Sequence, residues 1–141
     1  MRTRSTAIIC LLFIFLLSLT ACREQAPLDS ALQDKPASLS AVSMGSGDKT
    51  FVFEVYDADG KKTVFNIFTD KTIVGDALSE LGLISGDDGP YGLYVKTVNS
   101  LTYDYDKDGK YWAFYINGEY ATSGIDTTEI SKDNVYSFRV E

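Results

Sequence analysis

The chain has 141 residues, 20 of them acidic against 13 basic for a formal charge of −7, with no histidine and two cysteines. Its acidity repels phosphate backbones and argues against nucleic acid as a partner. Without imidazole, Ser-His-Asp and Cys-His hydrolases and His-ligated zinc enzymes are excluded, and only carboxylate-based catalysis is left open.

The first element is an apolar run, Ala7 to Leu17, that follows Arg2 and Arg4 and ends in Leu19-Thr20-Ala21-Cys22. A positive start, a greasy middle and small residues before a cleavage point describe an export signal. About a dozen apolar residues extend roughly 18 Å as a helix, well short of a bilayer core of roughly 30 Å, so cleavage is expected rather than a membrane span. The tetrapeptide resembles the lipobox of bacterial lipoproteins, which implies lipidation of Cys22 and an extracytoplasmic domain anchored to the cell membrane. Loss of residues 1–21 removes Arg2 and Arg4 and no acid, taking the charge from −7 to −9. Cys10 leaves with the signal and Cys22 carries lipid, so no disulfide is expected in the mature protein.

Residues 22–48 hold Pro27, Pro36, Gly45, Gly47 and many Ala and Ser without a sustained period, the composition of a flexible linker. From residue 49 to 141 one small domain is expected. Phe51, Phe53 and Val55 alternate with Val52, Glu54 and Tyr56, as in a half-buried strand, and Asp57-Ala58-Asp59-Gly60 turns the chain into a second strand, Thr63 to Phe68. Val74, Ala77, Leu78 and Leu81 then follow a helical spacing, with Thr72 as the expected N-cap and Gly82 as the stop. Ser85 to Gly92 reads as a loop, Leu93 to Val98 and Leu101 to Tyr105 as strands. Tyr111 to Ile116, Asn117-Gly118 and Glu119 to Ala121 form the strongest hairpin signal, and Val135 to Val140 is the closing strand. Hairpins segregated from a single helix predict an α+β, β-grasp-like fold, a mixed sheet of about five strands with one packed helix.

Two clusters invite a functional reading, and each has an ordinary alternative. Tyr111, Trp112, Phe114, Tyr115 and Tyr120 fall within ten residues; alternation puts Trp112, Phe114 and Ile116 on one face and Tyr111, Ala113 and Tyr115 on the other. These rings are either core packing or a stacking face for a ligand. Gly89-Pro90-Tyr91-Gly92-Leu93-Tyr94 either presents Tyr91 and Tyr94 beside that face or is a tight connection. Asp104, Asp106, Asp108 and Gly109 match the opening of a calcium-binding loop, but the twelfth position is Tyr115 rather than Glu, so a solvated acidic turn is expected and no metal site. Asp87 and Asp88 with Asp76 or Glu80 read as turn formers rather than a catalytic pair, and no enzyme activity is expected.

Asp76-Ala77-Leu78, Gly92-Leu93-Tyr94-Val95, Tyr111-Trp112-Ala113-Phe114-Tyr115-Ile116-Asn117-Gly118 and Gly124-Ile125-Asp126 together resemble a domain family of bacterial surface lipoproteins. That family is itself similar to the C-terminal β domain of transcobalamin and intrinsic factor. The resemblance covers roughly Thr50 to Glu141. It implies a β-grasp-like fold and a face for a corrinoid or another large flat cofactor, with Gly124 and Ile125 near the ligand. A cobalamin-like ligand would be held by shape, stacking and backbone hydrogen bonds, because no imidazole is present to ligate cobalt.

The expectation is a lipid-anchored capture domain whose ligand contacts are Tyr91, Tyr94, Trp112, Tyr115, Tyr120, Gly124 and Ile125, working with a transporter or second surface domain. The alternative is an interaction module that binds a peptide or neighbouring surface protein by strand addition.

Overall fold

The computed structural model describes residues 40–141; the expected signal segment of residues 1–21, Cys22 and the first part of the expected linker lie outside the described residues. Among the described residues nine strands and two short helices follow one another: β1 Val42–Gly45, β2 Lys49–Tyr56, β3 Lys62–Thr69, α1 Val74–Glu80, β4 Ile84–Gly89, β5 Gly92–Val98, β6 Leu101–Thr102, α2 Tyr105–Asp108, β7 Trp112–Ile116, β8 Glu119–Tyr120 and β9 Val135–Val140. The fold is α+β. Six strands form a mixed sheet in the order β1-β3-β2-β9-β7-β8, and three form a separate antiparallel sheet, β4-β5-β6.

The alternation in β2 has the predicted consequence. Phe51, Phe53 and Val55 point inward and are buried, and β3 pairs antiparallel along the whole of β2, from Lys49↔Thr69 to Tyr56↔Lys62. Asp57 closes the turn by accepting the backbone N–H groups of Asp59 and Lys61 on its carboxylate, at 3.0 and 2.9 Å. β9 lies between the two hairpins, parallel to β2 and antiparallel to β7. Its inward residues Tyr136 and Phe138 complete an aromatic centre: Phe51 meets Tyr136 edge-on at 5.4 Å, and Phe114 lies 5.3 Å from Phe138. One hydrophobic cluster joins this inner face to Val74, Ala77 and Leu78 of α1 and to Ile84, Val95 and Val98 of the smaller sheet. The hydroxyl of buried Tyr136 donates to Glu129 O at 3.0 Å and accepts the Ser131 N–H at 2.9 Å, which ties the segment before β9 to the core.

In place of the expected single sheet of about five strands with one helix, the described residues form two sheets, of six and three strands, with two helices, and four segments also differ from expectation. The linker does not reach residue 48: Val42–Gly45 is a strand parallel to β3, paired from Val42↔Phe65 to Gly45↔Phe68. Only Met44 packs on the core, so the segment carries no alternating signal. The expected loop Ser85 to Gly92 is a hairpin, β4 against β5, with a register shift between Ser85 and Gly86. A Cβ on Gly86 would collide with the Tyr94 carbonyl, so its glycine serves close strand contact rather than a turn. Thr72 does not cap α1; Ile73 occupies that position without a side-chain bond, and Thr72 O instead accepts the Ile130 N–H at 2.8 Å. Gly82 does end the helix, at φ 66°, where Leu83 N–H reaches Leu78 O and Gly82 N–H reaches Ser79 O. The strand expected from Leu101 to Tyr105 stops at Thr102, because Asp104 caps α2 by accepting the Asp106 N–H at 3.2 Å.

Candidate functional site

β5 brings Leu93, Tyr94 and Val95 to one wall of a cleft of about 320 Å³. The lining continues with Tyr111, just before β7, with Trp112 and Phe114 of β7, and with Tyr120, Ala121 and the Ser123–Ile125 loop. The lining thus comes from β5, from the β7–β8 hairpin with the loop that follows it, and from Phe138 of β9.

The Gly124-Ile125-Asp126 loop is the junction. Ile125 O accepts the Gly75 N–H of α1 at 2.9 Å, and a Cβ at Gly75 would stand only 2.9 Å from the same oxygen. Thr128 and Thr127 hydroxyls donate to Gly124 O at 2.7 and 3.1 Å, fixing the loop from below. The Asp126 carboxylate reaches across to accept the Leu93 N–H at 3.3 Å. It fits there because Gly92 and Gly124 have no side chains: a Cβ on either would run into its oxygens.

Trp112 forms a fixed wall rather than a mobile platform. Only 5% of it is exposed, its indole N–H donates to Leu101 O at 3.2 Å, and its ring meets Tyr103 edge-on at 5.4 Å. Tyr94 and Tyr120 are the more exposed rings, 42% and 57%; Lys96 Nζ lies 5.7 Å from the Tyr94 ring centre, and the Tyr120 ring meets its cross-strand partner Tyr115 edge-on at 5.4 Å. The Tyr111 hydroxyl donates to Glu141 Oε2 at 3.2 Å; that carboxylate, with burial second, pushes the phenol up to about 12.

Of the residues singled out from the sequence, Tyr94, Trp112, Tyr120, Gly124 and Ile125 line this cleft, and Tyr91 and Tyr115 do not. Tyr91 stands 98% exposed at the tip of the β4–β5 hairpin. Tyr115 lies on the outer face of the large sheet, where its hydroxyl bonds Glu141 Oε1 and the Arg139 guanidinium sits 4.5 Å from its ring centre, with Tyr56 4.7 Å away on that guanidinium. The same carboxylate raises the Tyr115 phenol. Alternation assigns Tyr111 to that outer face, and its hydroxyl does share the Glu141 carboxylate with Tyr115 there, although the residue also borders the cleft. Asp126 has no local signal of its role, since its partner is 33 residues away.

The acidic turn is occupied by protein. Lys96 Nζ lies 3.0 Å from Asp104 Oδ2 and 2.7 Å from Asp87 Oδ2, and this ammonium holds the Asp104 carboxyl below its ordinary value. Asp108 accepts the Asp104 N–H at 2.8 Å. Among the described residues no three side chains of His, Cys, Asp or Glu are grouped to hold a metal ion.

A family model described as a domain of unknown function, DUF4430, matches residues 70–139, a range that includes every cleft wall. A crystal structure of a provisionally assigned metal binding protein from Ruminococcus gnavus is similar at 28% identity and a TM-score of 0.63, covering 67% of this chain and 97% of that one. Haptocorrin in complex with Cbi is similar at 12% identity and a TM-score of 0.49, covering 70% of this chain. The chain spans 26% of haptocorrin. No curated protein matches the chain.

Proposed function

We propose that this protein is a lipid-anchored, extracytoplasmic binding domain that captures part of a corrinoid or another large flat cofactor for uptake with a partner protein. One observation carries the reading: parts of three of the four sequence stretches that resemble the surface-lipoprotein domains, Leu93–Val95, Tyr111–Phe114 and Gly124–Ile125, line the same cleft. Anchoring and export rest on Arg2, Arg4, the apolar run and Leu19-Thr20-Ala21-Cys22. The β-grasp reading is supported by strand order, since the last strand lies parallel to the first strand of the opening hairpin and separates it from the second hairpin.

A cleft of about 320 Å³ is at the lower end of the roughly 300–1,000 Å³ usual for small-molecule sites. It therefore seats one edge of a large cofactor, and the partner, a transporter or second surface domain, covers the rest. Binding rather than catalysis is favoured by a lining without a carboxylate, amine or thiol. The metal binding named for the Ruminococcus gnavus protein is not carried over, because the best acidic cluster is already paired with Lys96.

Trp112 is the only tryptophan, so its fluorescence reports on the cleft. Titration with cobalamin and cobinamide, corrected for their absorbance, is expected to give saturable quenching and a raised melting temperature. An unchanged melting temperature and no saturable quenching at millimolar corrinoid would reject the reading.

A further inference from the structure

The outer face of the large sheet holds a row of side chains that the cleft does not use. Tyr56 of β2, Arg139 of β9 and Tyr115 of β7 stand together there, because the register pairs Tyr56 with Arg139 and Ser137 with Tyr115. The Arg139 guanidinium lies between the two rings, 4.7 Å from the Tyr56 centre and 4.5 Å from that of Tyr115, and Tyr120 continues the row 5.4 Å beyond Tyr115. Carboxylates of the chain pin both flanking rings: the Tyr56 hydroxyl donates to Glu54, itself paired with Lys62, and the Tyr115 hydroxyl donates to Glu141. Ala113 and Ser137, the small outer-face residues of the same strands, are buried.

Arg139 has no anionic partner in this arrangement. Among the described residues it makes no ion pair, and its Nε is buried without a hydrogen-bond partner. A stack that served stability alone would pair this charge with Glu141, two residues on, yet the hydroxyls of Tyr111 and Tyr115 take that carboxylate. The residue is only partly buried, so with Nε sealed its open edge is the pair of Nη groups, a planar fork that matches one carboxylate.

The surroundings narrow the choice of ligand. A dense polyanion is repelled by Glu54 and Glu141 beside the row and by the net negative chain. An extended peptide finds no main-chain partners, since the backbone groups of this sheet face are consumed in the ladders that join β2, β9 and β7. A sugar needs no such partners: it lays a C–H face on an aromatic ring while its own hydroxyls stay in water, and Tyr120 is the exposed ring at the end of the row. We infer that this outer face is a second binding site and takes an acidic saccharide, a sugar bearing a single carboxylate, with Arg139 gripping the carboxylate and Tyr120 stacking on the ring. The inference stands apart from the cleft and from what the cleft binds.

Four probes separate the possibilities: methyl β-D-glucuronide, the neutral methyl β-D-glucoside, acetate and N-acetyltriglycine, each titrated into the purified protein and followed by backbone amide NMR and the arginine Nε–H signals. The glucuronide is expected to give saturable shifts at Arg139, Tyr115 and Tyr120 with Leu93 and Val95 unmoved, and to bind about tenfold more tightly than the other three, the worth of one charge-assisted contact or one ring contact. Arg139→Lys keeps the charge but loses the fork, and is expected to weaken glucuronide binding about tenfold while leaving cobinamide titration of the cleft unchanged. Glu141→Gln removes a neighbouring anion and is expected to tighten glucuronide binding about twofold, a second readout that does not depend on replacing the arginine. Equal binding of the glucoside or acetate, tighter binding of the peptide carboxylate, undiminished glucuronide binding in Arg139→Lys, or no saturable shift with the glucuronide overturns the inference and leaves the cleft reading standing. Failure of cobinamide to bind overturns the cleft reading alone.

Discussion

The Asp126 carboxylate accepts the Leu93 N–H at 3.3 Å, a single contact that ties the Gly124-Ile125-Asp126 loop to the wall of the β4–β5 hairpin. It links two cleft walls that lie 33 residues apart in the chain. Asp126→Ala is expected to lose about 1–3 kcal/mol, the usual cost of stranding a hydrogen-bond partner of a charged group, and to weaken ligand binding more than stability alone accounts for. Gly92→Ala should cost at least as much, since its Cβ would collide with the same carboxylate at a backbone φ of 105°. Denaturant melts of the two variants check this; a neutral Asp126→Ala would show that the loop is held by Gly75 and the threonines alone.

The indole of Trp112 is a structural wall with one edge in the cleft. Trp112→Phe keeps most of the packing but strands Leu101 O, so a loss of about 1–3 kcal/mol is expected with the fold retained. Trp112→Ala removes the contacts with Tyr103 and Phe138 as well and should cost about 3–5 kcal/mol. Urea unfolding followed by far-UV circular dichroism measures both.

Glu141 gives two tyrosines an unusual titration. The Tyr111 phenol is raised to about 12 from an ordinary 10.0, and the Tyr115 phenol is raised as well. Because these folded values lie above the unfolded one, the stabilisation is fully present below about pH 10 and is lost as pH climbs toward 12. Absorbance titration at 295 nm should therefore show two tyrosines ionising after the others. Glu141→Gln should bring both back toward the ordinary range, and an unchanged titration curve in that variant would contradict the assignment.

Calcium is expected to leave the melting temperature unchanged up to millimolar concentration, because the Asp104 carboxylate is paired with Lys96 and the Asp108 carboxylate holds a backbone N–H. The lowered Asp104 value means that this contribution persists at neutral pH and fades only as pH falls below the ordinary carboxylate range through the folded value. A calcium-dependent rise in melting temperature would show that the metal displaces Lys96.

Strong local signals carried most of the fold. The alternation Phe51-Phe53-Val55, the Asn117-Gly118 turn with φ of 52° and 83°, and the Gly82 stop each act within a few residues, and each appears where the pattern puts it. The misreadings have tertiary causes. Val42–Gly45 is an edge strand held by β3 rather than by its own period, and Ser85–Gly89 is rich in Gly and Asp yet pairs with β5 because Gly86 admits the Tyr94 backbone. Five of the seven residues chosen as ligand contacts converge on one cleft, while Tyr115 is on the far face and Tyr91 at an exposed tip. The role of Asp126 was illegible because it acts on a residue 33 positions away.

Membrane attachment is tested by Cys22→Ser, which is expected to move the protein from the membrane fraction to the soluble extracytoplasmic fraction and to abolish incorporation of labelled palmitate. Retention in the membrane with no label in the unaltered protein would instead indicate an uncleaved anchor.

Amide NMR mapping of cobinamide binding tests the central claim most directly. The account predicts shifts concentrated in Leu93–Val95, Tyr111–Phe114 and Ala121–Ile125, with Tyr91 and β1 unmoved. Shifts centred on the outer-face Tyr56, Tyr115 and Arg139, or none at saturating ligand, would contradict it.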